Sequence, residues 1–205
     1  MQTGGILLLG GASTRMGEAK ADLEWFGRPL ATHIAEVVLA AVDGPVVAVA
    51  AADQALPKLP AGVESARDAV PDQGPLRGLE SGLIAIGDRA DVAFVASVDL
   101  PLLQPTFVRT LFAALTDEFD AVVPITDGHR HPLAAVYRTS VLATVSALLA
   151  EGVRGANALP DRVTCRILND QDLLALPGLV PADLDALFNV NTPEDLAAAR
   201  LRFRP

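Results

Sequence analysis

The chain has a single cysteine, Cys165, so no intrachain disulfide can form and a reducing, cytoplasmic setting is expected. Aromatic residues are scarce, at 4%, which argues against a platform for stacking bases. Positive charge is also short: 16 Lys and Arg stand against 25 Asp and Glu, a formal net charge of −9. A protein that tracks a nucleic-acid backbone needs the opposite balance. Long apolar runs are missing too. Residues 6–9 are too few for a signal-peptide core and no basic segment precedes them, while the stretch 37–52 is broken by Asp43, Gly44 and Pro45. Neither a nucleic acid nor a membrane is expected as a partner. An anionic ligand would have to be held by local backbone amides and a few cations.

Histidine offers no metal site. His33 lies far from the other two, and His129 and His131 flank Arg130, whose charge disfavours a transition metal. No Ser-His-Asp arrangement is suggested, and Cys165 reads as a packed thiol rather than a nucleophile.

Apolar residues make up 51% of the 205 and charged residues 20%, the balance of a packed globular protein. The length fits one domain over 1–205. Apolar runs at 5–9, 46–51, 92–98 and 121–125 read as buried strands, with further strands at 63–66, 133–137 and, at an edge, 163–167. Helical spacing of apolar residues marks 29–42, 75–86, 106–115 and 141–149, and Pro193 opens a terminal helix through Arg200. Alternating strands and helices predict an α/β fold: a mostly parallel central sheet between two helical layers. Residues 176–181 read as a surface loop.

The loop after the first strand carries the strongest chemical signal. Gly10 and Gly11 allow a sharp turn and let a ligand approach backbone without a Cβ in the way. Consecutive amides there make an anion-binding concavity, and Arg15 and Lys20 add positive charge where a triphosphate would lie. Each charge-assisted hydrogen bond of this kind contributes about 1.5–3 kcal/mol. The spacing is neither that of a Walker loop nor G-x-G-x-x-G. The alternative is an ordinary glycine turn with scattered charge.

Asp99 follows the strand at 92–98 directly. In the common 3-2-1-4 strand order the first and fourth strands are neighbours, and ligands bind beyond their carboxyl ends. Asp99 would then face the glycine loop, where Mg²⁺ bridging phosphate oxygens is the natural counter-ion. The competing reading is a helix N-cap or a solvent carboxylate. Asp68, after the third strand, is a weaker candidate for contacting base or ribose, since Asp is common in turns.

The run LLGGASTRMGEAK at 8–20 resembles the signature of the MobA-like nucleotidyltransferases. GPLRGL at 74–79, DLP at 99–101, RHPLAAVY at 130–137 and NVNTPEDL at 189–196 resemble the molybdenum cofactor guanylyltransferase branch, in family order along nearly the whole chain. The resemblance implies a Rossmann-like fold and transfer of GMP from GTP to the terminal phosphate of molybdopterin or molybdenum-molybdopterin, with Mg²⁺. It implies that Leu8, Leu9, Gly10 and Gly11 contact the nucleotide, that Arg15 and Lys20 neutralise phosphate, and that Asp68 contacts the guanosine. Asp99 would bind nucleotide and metal. Gly78, His131, Asn189 and Asn191 would line the acceptor side. It leaves room for transient contacts with other cofactor-biosynthesis proteins. Two positions depart from the family pattern. Residues 48–52 hold only Ala and Val where an asparagine often reads the base, and Ala19 precedes Lys20 where an acidic residue is usual. A cytidylyltransferase of the same pathway, a sugar-phosphate nucleotidyltransferase and a non-enzymatic nucleotide sensor remain the alternatives.

Overall fold

A computed structural model describes residues 1–10, 19–68 and 74–203. The elements in chain order are β1 (Thr3–Leu8), β2 (Glu24–Trp25), β3 (Arg28–Pro29), α1 (Leu30–Leu39), β4 (Val46–Ala51), β5 (Val63–Asp68) and α2 (Pro75–Ile86). They continue with β6 (Val92–Ser97), α3 (Pro105–Ala114), β7 (Ala121–Thr126), β8 (His129–Arg130), β9 (Ala134–Arg138), α4 (Leu142–Ala150), β10 (Cys165–Leu168), α5 (Asp170–Ala175) and α6 (Pro193–Arg202).

The main sheet runs β10-β7-β9-β6-β1-β4-β5, with β8 paired on β7. Its half β6-β1-β4-β5 is parallel throughout and has the 3-2-1-4 order expected for the first four main strands. The other half is mixed, because β9 lies antiparallel to both β6 and β7.

The continuous apolar strands have a simple cause: both faces are covered. Ile6 and Leu8 of β1 point into one core with Leu76, Leu79 and Leu83 of α2 and Val145 of α4. Leu7 and Leu9 point into the opposite core with Leu30 and Ile34 of α1 and Phe107 and Leu111 of α3. Close approach is built in on both sides. A Cβ on Gly82 of α2 would fall 2.5 Å from Ile6 Cγ2, and one on Gly5 would overlap Val38 of α1.

The tight hairpin β2–β3, with positive φ at Phe26 and Gly27, is absent from the sequence expectations, as is the short helix α5. Within the segment read as a surface loop, residues 176–180 separate α5 from a 3-10 stretch, Pro181–Leu187. Among the described residues no helix is long and apolar enough to cross a membrane.

Candidate active site

Parallel pairing of β1 with β6 sets Leu8 opposite Ser97. Val98 extends the contact, its N–H donating to Leu8 O at 3.3 Å, and Asp99 leaves the sheet at that edge. Asp99 caps no helix, since α3 starts only at Pro105 with Gln104 in front of it. Its Oδ1 accepts the Ser97 hydroxyl, and its Oδ2 accepts Lys20 Nζ at 3.1 Å. The same Nζ donates to Asn191 Oδ1 at 2.8 Å, while Val190 N–H donates to the Asp99 carbonyl at 2.9 Å. These four contacts join the end of β6, the start of the 3-10 turn at Lys20 and the entry to α6. Lys20 and Asp99 are only 17% and 18% exposed as side chains, so water screens them less than a surface pair.

Asn191 is held in place by the cap of α6. Asp195 Oδ2 accepts the N–H groups of Asn191 and Thr192, each at 2.9 Å, and Thr192 Oγ1 accepts Asp195 N–H at 3.1 Å. This reciprocal box satisfies the otherwise orphaned donors of the first turn.

Asp99 also lines a pocket of about 260 Å³, together with Ser97, Arg130, His131, Asn157 and Asn189 among others. The turn after β8 shapes it: His131 N–H donates to Pro124 O at 2.9 Å, and His131 O accepts Ala134 N–H at 3.0 Å. His131 Nε2 lies 2.6 Å from Thr126 Oγ1. Burial, with the charge of His129 second, lowers the His131 pKa and favours the neutral ring. Arg130 Nη1 pairs with Asp161 at 2.6 Å, which leaves its other guanidinium donors for an anion in the pocket. Burial pushes the Cys165 thiol up to about 11, which keeps it protonated at neutral pH.

Of the residues singled out in the sequence, Lys20, Asp99 and Asn191 meet directly, and His131 and Asn189 share the pocket with Asp99. Leu8, Leu9 and Gly10 reach the same sheet edge at the end of β1. Gly10 does not adopt a left-handed φ; among the described residues, an added Cβ there would come within 4 Å of Gln54 Oε1 alone, at 4.0 Å. Gly11 and Arg15 lie outside the described residues. Asp68 ends β5 opposite Ala51, three strands along from β6 and thus roughly 14 Å away across the sheet edge, within the span of an extended nucleotide. Gly78 packs instead beneath Leu8, whose Cδ2 would lie 3.2 Å from an added Cβ, and it does not line the pocket.

Sequence reasoning missed Ser97, Asn157 and Gln54 as site residues, and it saw Arg130 as an obstacle to metal and as the start of the resembling run at 130–137, without a role in the site. Ser97 was within reach of the pattern, since a side chain two positions before Asp99 along the strand shares its side.

Among the described residues no group of three or more His, Cys, Asp or Glu could hold a metal ion. A hard cation of the Mg²⁺ kind takes one or two protein carboxylates and fills its remaining positions with water and substrate phosphate. Asp99 can provide one such carboxylate.

The family model described as a MobA-like NTP transferase domain matches residues 5–164. A probable molybdenum cofactor guanylyltransferase of Mycobacterium avium is 37% identical over 202 residues, covering 97% of this chain and 95% of the relative. Another, of Natronomonas pharaonis, is 34% identical over 204 residues, with 97% and 96% covered. Among solved structures, the molybdopterin-guanine dinucleotide biosynthesis protein A of Archaeoglobus fulgidus matches with a TM-score of 0.77 at 22% identity, covering 97% of each chain. With a family model spanning most of its length and relatives aligned nearly end to end, the chain belongs to the MobA-like NTP transferase family and is a nucleotidyltransferase.

Proposed function

We propose that the protein transfers GMP from GTP to the terminal phosphate of molybdopterin, or of its molybdenum-bound form, giving the guanine dinucleotide cofactor and pyrophosphate. The observation that carries this reading is the Lys20 ammonium between Asp99 and Asn191, with Asp99 also lining a pocket that Arg130, His131, Asn157 and Asn189 share. A donor site and an acceptor site would then meet at one carboxylate. Guanine is favoured over cytosine by the relatives, which carry the guanylyltransferase name at 34–37% identity.

In the proposed reaction an acceptor phosphate oxygen attacks the α-phosphorus of GTP. An O–P bond forms there as the bond to the β-phosphate oxygen breaks, and the electron pair leaves with pyrophosphate. The nucleophile is already anionic, so no general base is needed, and catalysis rests on positioning and charge stabilisation. Lys20 would shift its donors from Asp99 and Asn191 to phosphate oxygens. Arg130, Asn157 and Asn189 would orient the acceptor. Mg²⁺, held by Asp99, would supply charge neutralisation on the triphosphate. We read 1–205 as one nucleotidyltransferase domain, because Val190 and Asn191, beyond the family-model match, bond directly to Asp99 and Lys20.

Pyrophosphate release with GTP, CTP and ATP, each in the presence of the pterin acceptor and Mg²⁺, tests the proposal. GTP is expected to dominate by roughly a hundredfold, the cost of leaving one or two base-reading groups unpaired at about 1–3 kcal/mol each. A preference for CTP would reassign the donor, and GTP binding without turnover would turn the enzyme reading into a sensor.

A further inference from the structure

Past the last backbone rung between β1 and β4, a side chain joins the two strands. Leu9 N–H donates to Val49 O at 2.8 Å. In a parallel ladder the following rung runs from Ala51 N to Leu9 O. Here Ala51 N–H donates to Gln54 Oε1 at 3.2 Å, and Gln54 Nε2 donates to Leu9 O at 3.0 Å. The carboxamide is spliced into the ladder and holds the two strand ends apart by its own width. Its backbone is braced as well. Gln54 N–H donates to Ala51 O at 3.2 Å, and Arg67 of β5 donates to Ala51 O at 2.9 Å and to Gln54 O at 2.5 Å.

We infer that Gln54 is a positioning residue for the nucleotide: it fixes the Leu9 carbonyl and the Gly10 backbone just past the end of β1. The inference rests on the proposed function, in which Leu9 and Gly10 contact GTP. Without the carboxamide, Ala51 N–H and Leu9 O become each other's nearest partners. Closing that rung draws Gly10 towards β4 and away from the Lys20–Asp99 pair on the β6 side. An effect on the nucleotide is therefore expected without an effect on the acceptor, whose pocket is lined from β6 onward and by Pro75.

Two substitutions test it. Gln54→Ala removes the splice. Gln54→Glu keeps its size and the acceptor for Ala51 but cannot donate to Leu9 O. Both are compared with the wild type in pyrophosphate release, with GTP and acceptor varied in turn, and in equilibrium GTP binding. A rise of roughly tenfold in KM and Kd for GTP, with KM for the acceptor unchanged, is expected for the loss of one positioning hydrogen bond. GTP affinity within about twofold of wild type in the folded variants overturns the role, and so does an equal rise for both substrates. If Gln54→Ala does not fold, Gln54→Glu decides alone. The binding arm does not depend on turnover, so failure of the transferase reading and failure of this inference give separate signatures.

Discussion

The Nε2 of His33, on α1, lies 2.9 Å from the carbonyl oxygen of Pro101, two residues past Asp99. Arg28 donates to the other ring nitrogen, Nδ1, at 3.1 Å, so the proton sits on Nε2 and the ring is neutral. Trp25 and Phe203 pack against it, at 5.8 and 5.5 Å between centroids.

Burial lowers the His33 pKa from 6.5 to about 4. Below pH 6.5 the unfolded chain binds a proton that the folded one refuses until about pH 4. Stability is therefore full above pH 6.5 and falls through that window, by on the order of 3 kcal/mol at its foot. Urea unfolding at pH 7 and pH 4.5 checks this. His33→Gln, which keeps a donor for Pro101, should flatten the acid limb; an unchanged limb would place its cause elsewhere.

Lys20→Met removes the ammonium shared by Asp99 and Asn191. Turnover should drop by about 10²–10³, the usual cost of losing one charge-stabilising donor. Stability should fall by about 1–3 kcal/mol, because the largely buried Asp99 carboxylate and the Asn191 carbonyl lose their shared donor. Pyrophosphate release and a denaturation midpoint, measured together, separate a catalytic loss from a folding loss.

Asp99→Asn preserves shape and an acceptor for Ser97 while removing the charge. The expected outcome is a folded protein whose pyrophosphate release falls about a hundredfold or more and no longer responds to Mg²⁺ titration. Full activity in this variant would end the assignment of a metal role to the carboxylate.

Two glycines should behave oppositely. Alanine at Gly82 would gain about 1 kcal/mol in helix propensity, yet its Cβ would fall 2.5 Å from Ile6 Cγ2. Overpacking of that kind costs about 1–3 kcal/mol, so a lower melting temperature is expected. Alanine at Gly10 meets no atom of the described residues closer than 4.0 Å, so its melting temperature should hold. Any loss of GTP affinity in Gly10→Ala then reports the approach of ligand to backbone.

Much of the fold could be read from strands buried on both faces. β1, β4, β6 and β7 announce themselves as apolar runs because no face has to meet water. β5 was read only to Ala66, yet it runs to Asp68, since backbone pairing with β4, not side-chain burial, extends it. The hairpin β2–β3 has two residues per strand, too few for any periodicity, and only the Phe26-Gly27 turn could have marked it. For α5, the trace in the sequence was the Asn169–Asp172 capping pair. In the site, Lys20 and Asp99 came together through an assumed strand order, which the sheet has. Asn191 was assigned by resemblance to the acceptor side; its bond to Lys20 spans 171 positions. The Gln54 splice spans 45, and no local pattern encodes a contact of that kind.

The direction of β9 has a consequence for how the molecule can diversify. Because that strand runs against β6, its beginning lies at the working edge of the sheet, and Leu133 O accepts Ser97 N–H there at 2.9 Å. A parallel strand would have delivered its far end instead and left residues 131–133 on the opposite rim. One wall of the pocket beside Asp99 is thus a connection between neighbouring strands, covalently remote from the β1 half of the sheet. On the proposed function, lengthening or recomposing that connection would retarget what is nucleotidylated without disturbing how the triphosphate is gripped.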